Sequence, residues 1–184
     1  VMQAKNSLSG VYGVVSELLI AHVDKALAVN AALGGSIYQI ITKNEADARN
    51  AISFLKRNSS GRATFLPLSV CHPRKMNEQV ITIASTSPGF LGFASECVDC
   101  KEIFDPVKER LLGNVIVVDT LQNANETAKR LRYAYKIVTL DGDIVHTGGS
   151  MTGGVTKNQS TPVTMRQELD TINSKIEGQN IKED

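Results

Sequence analysis

Apolar positions along this chain switch between two periods, and the switches mark out its elements. Gly10-Val11-Tyr12-Gly13-Val14-Val15-Ser16-Glu17-Leu18-Leu19 is an apolar run broken by glycine, which predicts a strand followed by a turn. Asp24 to Leu33 reads as a helix capped by Asp24, with Leu27 and Ala31 on a narrow apolar face and Gly34-Gly35 as its stop. Ser36 to Thr42 predicts a β-branched strand carrying Ile37, Ile40 and Ile41. Asn44 caps a second helix through Arg57, whose Ala48, Ala51, Ile52 and Leu55 share one face. After the loop Asn58 to Gly61, Ala63 to Leu68 is a third strand. Ser69 to Thr86 reads as a less regular connector with Pro73, Arg74 and Lys75.

The pattern then recurs. Gly92-Phe93-Ala94-Ser95-Glu96-Cys97-Val98 repeats the glycine, the Ser-Glu pair and the apolar flanks of Gly13 to Leu19. Asp105 to Leu112 is a helix with Pro106 at its first position and Gly113 after it. Val115 to Val118 is a continuous apolar strand, Thr120 caps a helix to about Tyr133, and Lys136 to Leu140 is the next strand. Leu33-Gly34, strand, helix, strand is thus answered by Leu112-Gly113, strand, helix, strand about eighty residues later. The expectation is an α/β fold of two similar lobes related by internal duplication, with parallel pairing in each. The lobes span 10–68 and 92–158, with 69–91 as connector. From Thr161 the period changes again: Met165, Leu169, Ile172 and Ile176 make a heptad seam, weakened by Gly178. With the polar start 1–9, the tail 159–184 predicts two arms of an antiparallel coiled coil flanking the lobes.

Between the last strand and that tail lies the densest glycine stretch. Asp141-Gly142 between two β-branched runs predicts a hairpin with a two-residue primed turn. Beyond it, Gly148, Gly149, Gly153 and Gly154 fall within seven residues. Glycine at that density predicts close approach by a phosphate, a ligand or another chain. A phosphate loop needs Gly-Lys-Ser/Thr where this chain has Gly154-Val155-Thr156-Lys157, and a dinucleotide fingerprint needs a Gly-x-Gly-x-x-Gly spacing that is absent. Chain packing is the better reading.

Composition narrows the classes. The 184 residues are 42% hydrophobic and 21% charged, with net charge +1, so no polyanion partner is demanded by the total. Apolar runs are too short for a membrane span, and three cysteines fit a reducing cytosol. Cys97-x-x-Cys100 with Cys71-His72 offers four soft ligands but not paired zinc spacing, and Cys97 falls where the repeat has Leu18. A nucleotide- or zinc-binding enzyme domain using the glycine loop or Cys97/Cys100 is the alternative reading. His22, His72 and His146 lie in separate segments and no catalytic constellation stands out; no cofactor is called for. Basic clusters (Lys56-Arg57 with Arg62, Arg74-Lys75, Lys129-Arg130 with Arg132, and Lys157) each suit a solvated helix end, and together a weak, salt-sensitive phosphate surface.

Gly10 to Leu19, Ala32-Leu33-Gly34-Gly35, Gly61-Arg62-Ala63-Thr64-Phe65-Leu66-Pro67-Leu68, Leu111-Leu112-Gly113 and Ile137 through Gly154 together resemble the hinge domain of the structural maintenance of chromosomes (SMC) family, within its bacterial chromosome-partition branch. They run in family order over residues 8 to 158; Cys97 and Cys100 depart from the pattern. The resemblance implies a non-enzymatic homodimerisation module, cytoplasmic and nucleoid-associated, with two equivalent contacts between the first lobe of one chain and the second lobe of the other. It places Gly148, Gly149, Met151, Gly153, Gly154 and the strand Asp143, Ile144, Val145 at that contact. It also implies weak, sequence-independent DNA binding, for which Lys157 leads and Lys56, Arg57 and Arg62 follow. ATP hydrolysis in the family belongs to head domains.

Overall fold

The computed structural model describes residues 7–155 and 172–174. The first half runs through β1 (Val11–Val14), the single-turn helix α1 (Val15–Leu18), β2 (Ile20–Ala21), α2 (Ala26–Leu33), β3 (Ile40–Thr42), α3 (Glu45–Arg57) and β4 (Phe65–Pro67). The second runs through α4 (Glu78–Ser85), β5 (Phe90–Phe93), β6 (Val98–Asp99), α5 (Asp105–Leu112), β7 (Val115–Val118), α6 (Leu121–Arg130), β8 (Lys136–Thr139), β9 (Ile144–Val145) and β10 (Met151–Thr152).

The fold is mixed α/β, and its two halves use one plan. The first sheet has the order β1-β3-β4, antiparallel then parallel; the second has β5-β7-β8-β9-β10 and opens with the same two pairings. Both first pairings carry a register break at the glycine, between Val11 and Gly13 and between Phe90 and Gly92. In each half a capped helix makes the crossover to the parallel strand. The Asn44 side chain accepts from the Asp47 amide at 2.8 Å, and that of Thr120 from the Asn123 amide at 3.2 Å. The halves are sewn together by β2 and β6, which pair antiparallel.

β7 reads as an unbroken apolar run because it is covered on both faces. Val115 and Val117 point into a core shared by both halves, with Val15, Leu19, Val29 and Ile41 from the first and Val107, Leu112 and Val138 from the second. Ile116 and Val118 point the other way, onto Ala124 and Ala128 of α6, Ile137 of β8 and Val145 of β9.

Several expectations are corrected. Asp24 does not cap α2; it lies in a 3-10 turn, Val23–Lys25, and its carboxylate takes the Lys25 ammonium at 2.8 Å. Gly34–Tyr38 is a 3-10 turn, so the strand expected from Ser36 begins only at Ile40; the Gln39 amide donates to the Ser36 carbonyl and keeps the chain wound. The connector holds a helix, α4, capped by Asn77, which lays Val80, Ile83 and Ala84 on the second core; its run of β-branched residues, Val80 to Ile83, obscures the helical period. α6 ends at Arg130 rather than near Tyr133, because Arg132 and Tyr133 turn left-handed (φ 53° and 57°). Of the heptad seam, Met165, Leu169 and Ile176 fall outside the described residues; Ile172 is helical and exposed.

Candidate dimer interface

The glycine stretch forms the outer rim of the larger sheet. β8 and β9 are joined by Leu140 to Gly142. The Gly142 amide donates to the Thr139 carbonyl and the Thr139 amide to the Asp143 carbonyl, both at 3.0 Å. Only Gly142 has positive φ (86°), whereas a primed two-residue turn requires it at Asp141 as well. The expected primed turn is therefore a three-residue turn with glycine in the left-handed place. The next hairpin uses the same device: the Gly149 amide donates to the His146 carbonyl at 2.9 Å and the His146 amide to the Ser150 carbonyl at 2.8 Å. Gly149, at φ 100°, occupies the place of Gly142.

That second turn carries the chain into β10, which ends the sheet. Met151 pairs with Val145 and Thr152 with Ile144, and β10 has no neighbour on its other side among the described residues. Met151 is 50% exposed and Val155 95% exposed. An unpaired edge flanked by glycine is a template for another strand. The other expected contact residues sit behind it. Val145 is fully buried, Ile144 packs against the shared core, and β9 is already paired on both sides. Their part is to carry β10 outward.

The glycines divide by cause. A Cβ at Gly148 or Gly154 would meet nothing within 4 Å, so close packing inside the chain does not explain them. At Gly149 it would lie 3.4 Å from the Tyr133 ring, and at Gly153 only 2.5 Å from Asp143 Oδ1. The Gly154 amide also donates to Asp143 Oδ1, at 3.4 Å. Tyr133, His146 and Thr152 are contributors that the sequence reading missed. The Tyr133 carbonyl accepts from the Gly148 amide at 2.8 Å, and His146 Nε2 lies 2.9 Å from Thr152 Oγ1 across the hairpin. A left-handed tyrosine after a helix leaves no mark in composition. His146 and Thr152 are diagonal neighbours across the hairpin, since His146 faces Ser150 and Thr152 faces Ile144, and the glycine turn between them makes that closeness legible.

The expected phosphate-binding cations are only partly gathered. Lys56 and Arg57 end α3 and Arg62 follows in the approach to β4, all exposed. Lys157 lies outside the described residues. Cys71 and Cys97 are buried and Cys100 is half-buried; burial is the main force pushing all three thiols upward, away from the reactive thiolate. The Cys100 thiol points at Asp105 Oδ1, 3.6 Å away. Among the described residues no three His, Cys, Asp or Glu side chains converge as metal ligands, and no helix is long and apolar enough to cross a membrane.

Known proteins extend this picture. The family model described as the SMC proteins flexible hinge domain matches residues 8–128. The chain is 42% identical over 177 residues to the chromosome partition protein Smc of Bacillus subtilis (strain 168), covering 96% of this chain and 15% of that one. Its fold superposes with a TM-score of 0.89 on the hinge of Geobacillus stearothermophilus SMC, described as an asymmetric dimer, at 38% identity, covering 98% of this chain and 73% of that one. The Pyrococcus furiosus SMC hinge follows with a TM-score of 0.67 at 26% identity, covering 87% and 86%. The chain spans 13 to 15% of the length of the first curated relatives that it matches.

Proposed function

Since this chain belongs to the family of SMC hinge domains, we propose that it joins two copies of itself through the β10 edge. The observation that carries this reading is an exposed, glycine-flanked strand at the end of a sheet whose central strands are buried. In the proposed contact, Met151 and the backbone from Gly148 to Gly154 meet the first lobe of the partner. Asp143, Ile144 and Val145 support that edge from behind. Two such contacts, related by symmetry, close a ring. In this reading the lobes take 10–68 and 92–158 with 69–91 between them, and the expected arm segments 1–9 and 159–184 fall largely outside the described residues.

The whole protein would act in chromosome partition at the nucleoid, with its ATP chemistry outside this chain. The hinge would add a weak, sequence-independent affinity for DNA through Lys56, Arg57, Arg62 and Lys157. Such binding weakens steeply with salt, whereas a backbone-paired dimer does not. Sedimentation equilibrium at low and high salt tests the central part. A dimer persisting at high salt supports it; a monomer at every concentration removes it.

A further inference from the structure

Between the two halves a cleft of about 550 Å³ opens where α2 and α5 end and where β4, β7 and β8 begin. Arg74, Arg110 and Lys136 line it, and no carboxylate does. None of the three cations makes an ion pair among the described residues.

Part of this charge has a structural explanation. Lys136 Nζ donates to the Ala32 carbonyl at 2.9 Å and so satisfies the C-terminal end of α2, and Arg110 lies in the last turn of α5. Each helix end carries roughly half a negative charge, about one in total. Three cations therefore leave a surplus of about two positive charges. Burial also pulls the half-buried Lys136 ammonium below its ordinary range, as expected of a cation without a counter-ion.

We propose that the cleft between Arg74, Arg110 and Lys136 binds a phosphate-bearing anion one or two phosphates in size. A surplus of two charges matches such a ligand. Two guanidinium forks and an ammonium are the donors that phosphate oxygens prefer, and Gln39, Thr64 and Asn114 add neutral donors around the wall. The volume falls within the range of small-ligand sites, roughly 300–1,000 Å³. The phosphates could belong to a free small molecule or to the backbone of a single nucleic-acid strand. The site lies within one chain and does not depend on self-association.

The test is calorimetric titration of the full chain with inorganic pyrophosphate, with sodium chloride holding ionic strength constant. Saturable one-site binding is expected, weakened at least about fivefold by Arg74→Gln and by Arg110→Gln and unchanged by Lys101→Gln, an exposed cation that does not line the cleft. Arg74 is exposed, so that variant probes the site without threatening the fold. Displacement of a labelled oligothymidylate by pyrophosphate, with the same variants weakening both, assigns the site to nucleic-acid phosphates; pyrophosphate binding without displacement assigns it to free anions. A non-saturable, salt-like response, or full affinity in both arginine variants, overturns the proposal.

Discussion

The two sheets begin alike and end differently. Each opens with a strand broken at a glycine, pairs it antiparallel with a buried strand, and reaches a parallel strand through a capped helix. The first sheet stops there, at a half-buried β4 whose last paired residue is Pro67. The second goes on through two glycine turns to an exposed edge. The shared part of the plan supplies burial, and what lies beyond it supplies a surface. On the proposed contact, stability and association fall to different residues of one sheet and can be broken separately.

The largest effect is expected in the shared part. Ile116 is fully buried between β7 and α6, while Ile40, which occupies the matching register beside the glycine strand, is 6% exposed. Ile116→Ala is expected to cost about 2–5 kcal/mol, and Ile40→Ala to fall at or below the lower end of that range. Urea unfolding at matched protein concentration checks it; an equal or greater loss at Ile40 would show that the first sheet is no less deeply set than the second.

Next comes the extension. Met151→Lys adds a charge to the exposed edge without touching the core. It is expected to weaken self-association at least tenfold, about 1.4 kcal/mol, with thermal unfolding of the dilute chain nearly unchanged. Substituting glycines there is less clean, since a side chain at Gly149 would be strained at φ 100°. Sedimentation equilibrium decides: a variant that associates as tightly as the parent removes β10 from the contact.

This division also explains what the sequence discloses. Val115 to Val118, Lys136 to Thr139 and the helices after Asn44 and Thr120 are legible because cap, period and burial act within a few residues. α4 is hidden because its stripe, Val80, Ile83 and Ala84, sits in a β-branched run that reads as readily as a strand. β2 and β6 are two residues each and exist only by pairing across the halves. The glycine doublets flag the rim as unusual; at Gly148 and Gly154 a Cβ would meet nothing of the chain itself within 4 Å, which leaves open the space that another chain would need. The cationic cleft is illegible for a plainer reason: Arg74, Arg110 and Lys136 come from three separate segments, two of them in helix-end and strand-start positions where single cations are ordinary.

A smaller effect tests whether the two crossovers are equivalent. Asn44→Ala and Thr120→Ala should each cost about 1 kcal/mol. The loss at Asn44 should be slightly larger, since its bond is shorter, 2.8 against 3.2 Å. Paired thermal melts check this, and a strongly unequal pair would mean that one crossover is held mainly by packing.

The finest test uses one position at which the halves differ in chemistry. Leu18 and Cys97 occupy matching places in the two copies of the Ser-Glu motif, and both pack on the shared core. Burial raises the Cys97 thiol above its ordinary value of 9.0, with Lys25 pulling it back and Glu96 and Asp24 pushing it further up. In the unfolded chain the thiol ionises first. Its contribution to stability is therefore complete below pH 9.0 and is lost as pH rises through the folded value. Cys97→Ala removes that loss. Its stability deficit relative to the parent should be largest at neutral pH and shrink above pH 9.0, while the deficit of Leu18→Ala stays level. Urea midpoints across that range measure both. Parallel deficits would mean that the Cys97 thiol ionises as easily in the fold as out of it.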